Sequence, residues 1–499
     1  MFKTAGVRFM RGVCTSLSVV LLAGLLGACA HSPAPDPAGP KSWVVENVAS
    51  KTTAELYADV IKPGVFERSS SKVIDGYTVE SGNLLMPDKS VGSLVTVRSG
   101  DGGLTAVIEQ PGNKGLLVIN GKGDSRYTPF PKRDYSLPDT VVEDAKTVVP
   151  ESRTSEGPYV IEMLIGYSRS AVEAAGGDAH ANALAQVESV NLALRNSQVT
   201  NVSMKLVGVQ VVETNYPLTP DTLSRLPEIF SASMQAFDPD MLYGIFSGHP
   251  DDSAVGWAYV PGRLALGYVY GEAFRHEVGH NVGGGHCHEP GGGYNFGFNN
   301  GKSTTAQCGN EAPYYSTSAV RDQHGLPLGN TATANMARVW RENADRLSSY
   351  TNLPSNTHRI ALNLNGSTTT QTVNLSVLRS YQAGVVTLAP DQGPTTLVYA
   401  IAGYNRLTVE LENSSGVKHT IYLRGERALG RCGWYAMNSY IGCQNSEQNQ
   451  IDFSFKLTFL EADNPGLPSG IFNGALKMKA RNLSGSWEVP INVLVSLQK

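Results

Sequence analysis

The stretch AFRHEVGHNVGGGHCHE, Ala273 to Glu289, decides how the rest of the chain is read. His276 and His280 stand four residues apart, about one turn of an α-helix, so both imidazoles leave the same face. Glu277 lies beside that face, able to reach a water without ligating an ion itself. Gly283 can take the left-handed conformation that ends a helix and turns the chain back. That turn delivers His286 as a third imidazole. Three imidazoles leave one coordination position open, which is the donor set of a catalytic zinc and not of a structural one. The spacing predicts one Zn2+ on His276, His280 and His286, with Glu277 as general base in peptide-bond hydrolysis.

Outward from the motif, the pattern upstream alternates strand and helix. YVIEMLIGY (Tyr159 to Tyr167) has the composition of a buried strand. In AHANALAQVESVNLALRNSQ, Leu184, Val187, Val190 and Leu194 recur at helical spacing. VSMKLVGVQVV reads as a strand, TPDTLSRLPEIFSASMQAF as one capped helix, and DMLYGIFSG and VGWAYVPG as strands. Downstream, NTATANMARVWRENADRLSSY predicts a long helix closing near Tyr350. This succession predicts an α/β catalytic domain with a mixed, mostly parallel sheet plus the active-site helix. From Trp43 to about Val149 short apolar and polar residues alternate around GDGG, QPGNKG and NGKG turns, an all-β region with no titratable cluster. Pro131 to Pro158 is polar and carries prolines, and reads as a linker or long surface segment. From Arg359 onward strand follows strand, which predicts a C-terminal β-sandwich. The expected divisions are 1–28, 29–42, 43–150, 151–352 and 353–499.

At 499 residues with a net charge of -4, the chain gives no reason to expect nucleic acid as a partner. Lys3, Arg8 and Arg11 precede the apolar run LSVVLLAGLLGA, an export signal too short for a membrane span. LLGAC resembles a lipobox, so Cys29 is the expected lipidated residue and the membrane the partner of that lipid. An ordinary signal-peptidase site is the alternative. HSPAPDPAGPK then forms a Pro-rich tether, and Ala30 after Cys29 resembles lipoproteins sorted to an outer membrane. Of the four cysteines past this region, nearest-neighbour pairing gives Cys287–Cys308 and Cys432–Cys443, one of three possible connectivities.

HEVGHNVGGGH fills every fixed position of HExxHxxGxxH, the metzincin metalloprotease signature. Over about Tyr159 to Tyr350 the chain resembles reprolysin-like (adamalysin-type) members, especially bacterial secreted ones. The resemblance implies a zinc endopeptidase acting on protein or glycoprotein at the cell surface. It also implies that VGWAYV is an edge strand pairing with an extended substrate. AVIEQPGNKGLLVING is similar to the β-rich propeptide region of such enzymes, but no mature cysteine beyond Cys29 is present there to act as a latency switch. Two departures stand out. The family takes its name from a methionine in a tight turn beneath the zinc, and none occurs between Cys287 and Ser316. Met336, in the later helix, is not assigned to that role. Cys287 also stands where the family usually has Asp after the third histidine, so a Cys287–Cys308 bridge would tie the ligand loop to the turn below it. Tyr314 and Tyr315 are candidates for stabilising an oxyanion, with packing as the other reading. The alternative function is a catalytically impaired surface lipoprotein acting as an adhesin or binding module.

Overall fold

The computed structural model describes residues 41–45, 48–55, 64–131, 138–142, 158–270, 272–287, 292–351, 358–364, 366, 368–378, 386–387, 396–399, 406–413, 415–429, 432–435, 440–444, 450–482 and 485–498. Gly39–Lys499 is one compact unit, and Met1–Ala38 a separate one that lies outside the described residues. The expected signal, Cys29 and most of the tether fall there. Among the described residues no helix is long and apolar enough to cross a membrane.

The N-terminal part is an antiparallel sheet of seven strands. They are β1 (Lys41–Val44), β2 (Val65–Ile74), β3 (Tyr77–Leu85), β4 (Val91–Arg98), β5 (Leu104–Gln110), β6 (Asn113–Ile119) and β7 (Asp124–Pro129), in the order β1-β7-β6-β5-β4-β3-β2. The β2–β3 connection is a two-residue hairpin in which Asp75 and Gly76 both take positive φ, 52° and 84°. That conformation matches the twist of the flanking strands and favours Asp-Gly. Strands β4 and β5 are buried along almost their whole length. One face carries Leu94, Ile108 and Leu117 into a core of the sheet's own. The other carries Val95, Val97, Val107 and Leu116 into the main core of the molecule.

The central sheet contains β8 (Thr140–Val141), β9 (Tyr159–Ser168), β10 (Val202–Val212), β11 (Met241–Phe246), β12 (Gly256–Tyr259) and β13 (Leu264–Tyr268), in the order β10-β9-β11-β13-β12-β8. β12 runs antiparallel to β13, and β8 runs parallel along the other side of β12. Helices α1 (Arg169–Ala174) and α2 (Ala179–Asn196) follow β9. Every residue of α2 from Ala181 to Leu194 is buried, polar ones included. A helix buried all round must be enclosed on two sides, and α2 packs on both the N-terminal strands and β10. Its buried Glu188 is correspondingly satisfied by Lys72 (2.8 Å) and Ser81 (2.6 Å) from the N-terminal sheet and by Arg195 (2.7 Å). The single helix expected after Thr219 is interrupted at Phe230, giving α3 (Pro220–Ile229) and α4 (Ser231–Phe237). Helices α5 (Ala273–Val282) and α6 (Met336–Leu347) complete the set used below.

The C-terminal part is an eleven-stranded sheet in which His358–Asn363 runs parallel to the final strand, Gly485–Gln498. It is pinned to β9 by a fully buried ion pair, Arg359 to Glu162, at 2.7 Å. Cys432 and Cys443 face each other in cross-strand register, but their side chains, and so the expected bridge, lie outside what is described.

These features correct the expected fold class. Among the described residues strand far exceeds helix, so this is a predominantly β protein and not one built around a mixed α/β metzincin domain. The physical reason is how the core is shared. Capped, periodic helices such as α2 are conspicuous in sequence, but α2 is filling between sheets, and the N-terminal strands contribute to the same core instead of forming a detached flank.

Candidate metal centre

All of α5 is buried, which a short and weakly amphipathic helix tolerates only because neighbours satisfy its polar side chains. Asn281 donates to the carbonyls of Tyr259 (3.0 Å) and Leu264 (2.8 Å), fixing the helix against β12 and β13. At Gly279 a Cβ would stand 2.1 Å from Gln307 Oε1, so the glycine leaves the room that the Gln307 amide fills. Gln307 in turn donates to the carbonyl of His276 at 2.9 Å. Gly283 ends the helix with φ 119°, and β14 (Gly285–Cys287) carries His286 back toward it.

The tautomers follow from the backbone. Nδ1 of His276 lies 2.6 Å from the Ala306 carbonyl and Nδ1 of His280 lies 2.6 Å from the Gly284 carbonyl. A carbonyl only accepts, so both Nδ1 atoms carry the proton and both Nε2 atoms present lone pairs. Those two Nε2 atoms are 3.0 Å apart. Burial lowers the pKa of His276 to about 4, which keeps it in the neutral, ligating form.

A fourth side chain completes the cluster. Asp139 places carboxylate oxygens 3.3 Å from Nε2 of His276, 3.4 Å from Nε2 of His280 and 2.9 Å from Nε2 of His286. The four donor atoms lie within 4.8 Å of one another and could hold one metal ion. The donor chemistry fits that role. Lone pairs of neutral imidazoles held 3.0 Å apart repel unless a cation sits among them. The 2.9 Å approach of His286 to Asp139 also lacks hydrogen-bond angles, as two donors aimed at a common centre would.

Glu277 is fully buried, and among the described residues its carboxylate oxygens have no hydrogen-bond partner. It lies against β12, where a Cβ on Gly256 would stand 2.5 Å from Oε1. Burial, then the neighbouring Asp139 charge, push its pKa well up. Tyr315 is also fully buried, with its hydroxyl donating to the Arg275 carbonyl at 3.0 Å and its ring on Trp340. It supports the helix backbone. Tyr314 is half-buried, and its carbonyl accepts from Ala306 N at 2.8 Å, steadying the residue that orients His276. His288 and Glu289 lie outside the described residues.

The Cys287–Cys308 disulfide is formed, with Cα atoms 4.7 Å apart and a sequence separation of 21. It joins the strand bearing His286 to the segment whose Ala306 and Gln307 hold His276. Closing such a loop stabilises the folded state by about 3 kcal/mol in the chain-entropy treatment. Replacing both cysteines by serine is therefore expected to lower thermal stability and weaken metal affinity. Isothermal titration with Zn2+ would show the second effect, and unchanged affinity would separate the bridge from the centre. A thioether also underlies the turn after α5. A Cβ on Gly284 would meet Sδ of Met336 at 2.9 Å, so the sulfur comes from the start of α6 instead of the turn where sequence reading sought it.

Sequence reading missed Asp139 altogether. Within the expected linker or surface segment Pro131 to Pro158, Pro138, Thr140 and Val142 are exposed, while Asp139 is buried at 5% exposure beside the three histidines. The only local signal was an acidic residue after Leu-Pro, which nothing in the motif's spacing reaches.

No protein-family model matches the sequence, and no curated protein matches it. Among solved structures, a chaperone–substrate complex is similar over 51% of this chain and 40% of its own, at 21% identity and a TM-score of 0.35. This chain thus spans less than half the length of that structure. The major subunit of aggregative adherence fimbriae type I from Escherichia coli is similar over 28% of this chain and 89% of its own, at 10% identity and a TM-score of 0.19. The CooA pilin subunit from enterotoxigenic Escherichia coli is similar over 30% of this chain and 94% of its own, at 13% identity and a TM-score of 0.18. Likenesses at these scores assign no function.

Proposed function

We propose that the chain is a zinc-dependent endopeptidase of extracellular protein or glycoprotein substrates, held at the cell surface through lipid on Cys29. The observation that carries this reading is the convergence of three imidazole Nε2 atoms beside a buried Glu277 whose carboxylate has no other commitment. Residues His276, His280 and His286 would hold the ion. When bound, zinc supplies Lewis-acid polarisation of a carbonyl and acidifies water at neutral pH. Glu277 takes the proton of the attacking water at its carboxylate and passes it to the departing amine. The outer side of β12, which β8 pairs with in this structure, is the backbone that an extended peptide would use to set its register.

Metal content and cleavage of a mixed protein substrate test this reading together. Both the intact chain and an Asp139→Ala variant are needed, because Asp139 stands among the ligands. One zinc per chain and cleavage above a Glu277→Ala control are expected. Cleavage no greater than that control in either form overturns the reading.

A further inference from the structure

Resting on that reading, we infer that Gln307 is a positioning residue for the reaction, its buried carboxamide holding the peptide unit that joins His276 to Glu277. Gln307 Nε2 donates to the His276 carbonyl at 2.9 Å. That carbonyl shares its peptide plane with the nitrogen of Glu277, so one hydrogen bond steadies the backbone from which ligand and base both depart. A carbonyl only accepts, so the amide nitrogen must face it and Oε1 must turn elsewhere.

Three consecutive residues grip three parts of the centre. The Ala306 carbonyl takes Nδ1 of His276 at 2.6 Å. Gln307 takes the ligand–base peptide, and Cys308 is bridged to Cys287, the neighbour of His286. The turn that carries them is tight. Cys308 N and Asn310 N both donate to the Thr305 carbonyl, at 2.8 and 3.1 Å. Its far end is fastened to the start of α5, where Asn310 Nδ2 donates to the Glu272 carbonyl at 2.8 Å.

Two observations separate the amide from mere filling. Outside the helix backbone, the three atoms nearest a Cβ on Gly279 all belong to Gln307, so the glycine forms a notch for this one side chain. Gln307 is fully buried, and among the described residues its Oε1 has no hydrogen-bond partner. An unpaired buried amide oxygen lowers stability, and leucine would fill the notch without that cost. The amide is kept for what its nitrogen holds.

The experiment compares Gln307→Leu, Gly279→Ala and the double variant Gly279→Ala with Gln307→Ala, each in the full chain loaded with Co2+. Proton NMR reads the imidazole N–H signals that the ion shifts clear of the rest of the spectrum, and calorimetry reads the melting temperature. Gln307→Leu is expected to keep one metal per chain and its melting temperature, while the His276 N–H signal moves and exchanges with deuterium at least tenfold faster. The double variant should recover the melting temperature lost in Gly279→Ala and still show the altered signal. Wild-type signals in Gln307→Leu, or their recovery in the double variant, overturn the assignment and leave Gln307 as packing. In the Asp139→Ala background Gln307→Leu should lower kcat at least tenfold with KM unchanged, since misplacing a reacting group by about 1 Å costs up to about 10^2-fold. An unchanged kcat also overturns the assignment. Altered signals without protein cleavage by any form support the hold on His276 while refuting the endopeptidase reading, and cleavage with unaltered signals and unchanged kcat does the reverse.

Discussion

Glu277→Gln, made in the Asp139→Ala background, is expected to lower kcat/KM by about 10^3-fold, the scale of a positioned general base. The loss should fall in kcat, because the carboxylate is needed as the proton moves and not for holding the peptide along β12. Metal content should stay at one per chain, since Glu277 is absent from the donor cluster. Stability is the discriminating second measurement. A buried carboxylate without polar partners destabilises the fold, so exchanging it for a neutral amide should leave the melting temperature equal or higher. Loss of activity together with equal or greater stability is the signature of a functional group kept at structural cost. Activity within tenfold of the background would remove Glu277 from the mechanism.

The parts of this centre that are local in sequence were legible, and the parts made by distant chain were not. Histidines four apart on a helix, a glycine at its left-handed end and a third histidine three residues later are all set by backbone geometry within eleven residues. The Cys287–Cys308 bridge follows equally from proximity along the chain. Asp139 reaches His276 only because a two-residue strand pairs with β12, and no periodicity announces a pairing that short. Met336 lies in a helix far from the motif in sequence, yet the N-terminal end of that helix brings its sulfur to the turn after α5. The fold class failed for a related reason. Helical periodicity is visible within one window, whereas the packing of the N-terminal strands on α2 joins distant parts of the chain, as in the Ser81–Glu188 contact 107 residues apart.

Glu109→Ala is expected to cost about 3–5 kcal/mol, the usual result of removing one partner from a buried ion pair. The side chains of Arg275 and Glu109 are 1% and 4% exposed, so water cannot replace the lost carboxylate. Burial opposes ionisation of Glu109, but Arg275, Ser93 and Lys114 outweigh it and hold its pKa below the usual value. A group with a depressed folded pKa contributes fully above its unfolded value and loses that contribution as pH falls through the folded one. Wild type should therefore lose stability through this pair below about pH 4.5, and Glu109→Ala should lack that component. Chemical denaturation across pH measures both effects. The double variant Glu109→Leu with Arg275→Met is the decisive comparison, because replacing a buried pair by apolar groups is often neutral or stabilising. Recovery of most of the lost stability would place the cost of Glu109→Ala in the stranded Arg275 charge. Zinc affinity should follow the same order, since Arg275 adjoins His276 and its carbonyl anchors Tyr315. If the single variant lies within 1 kcal/mol of wild type on the scale of that principle, the sheet does not hold the helix through this pair.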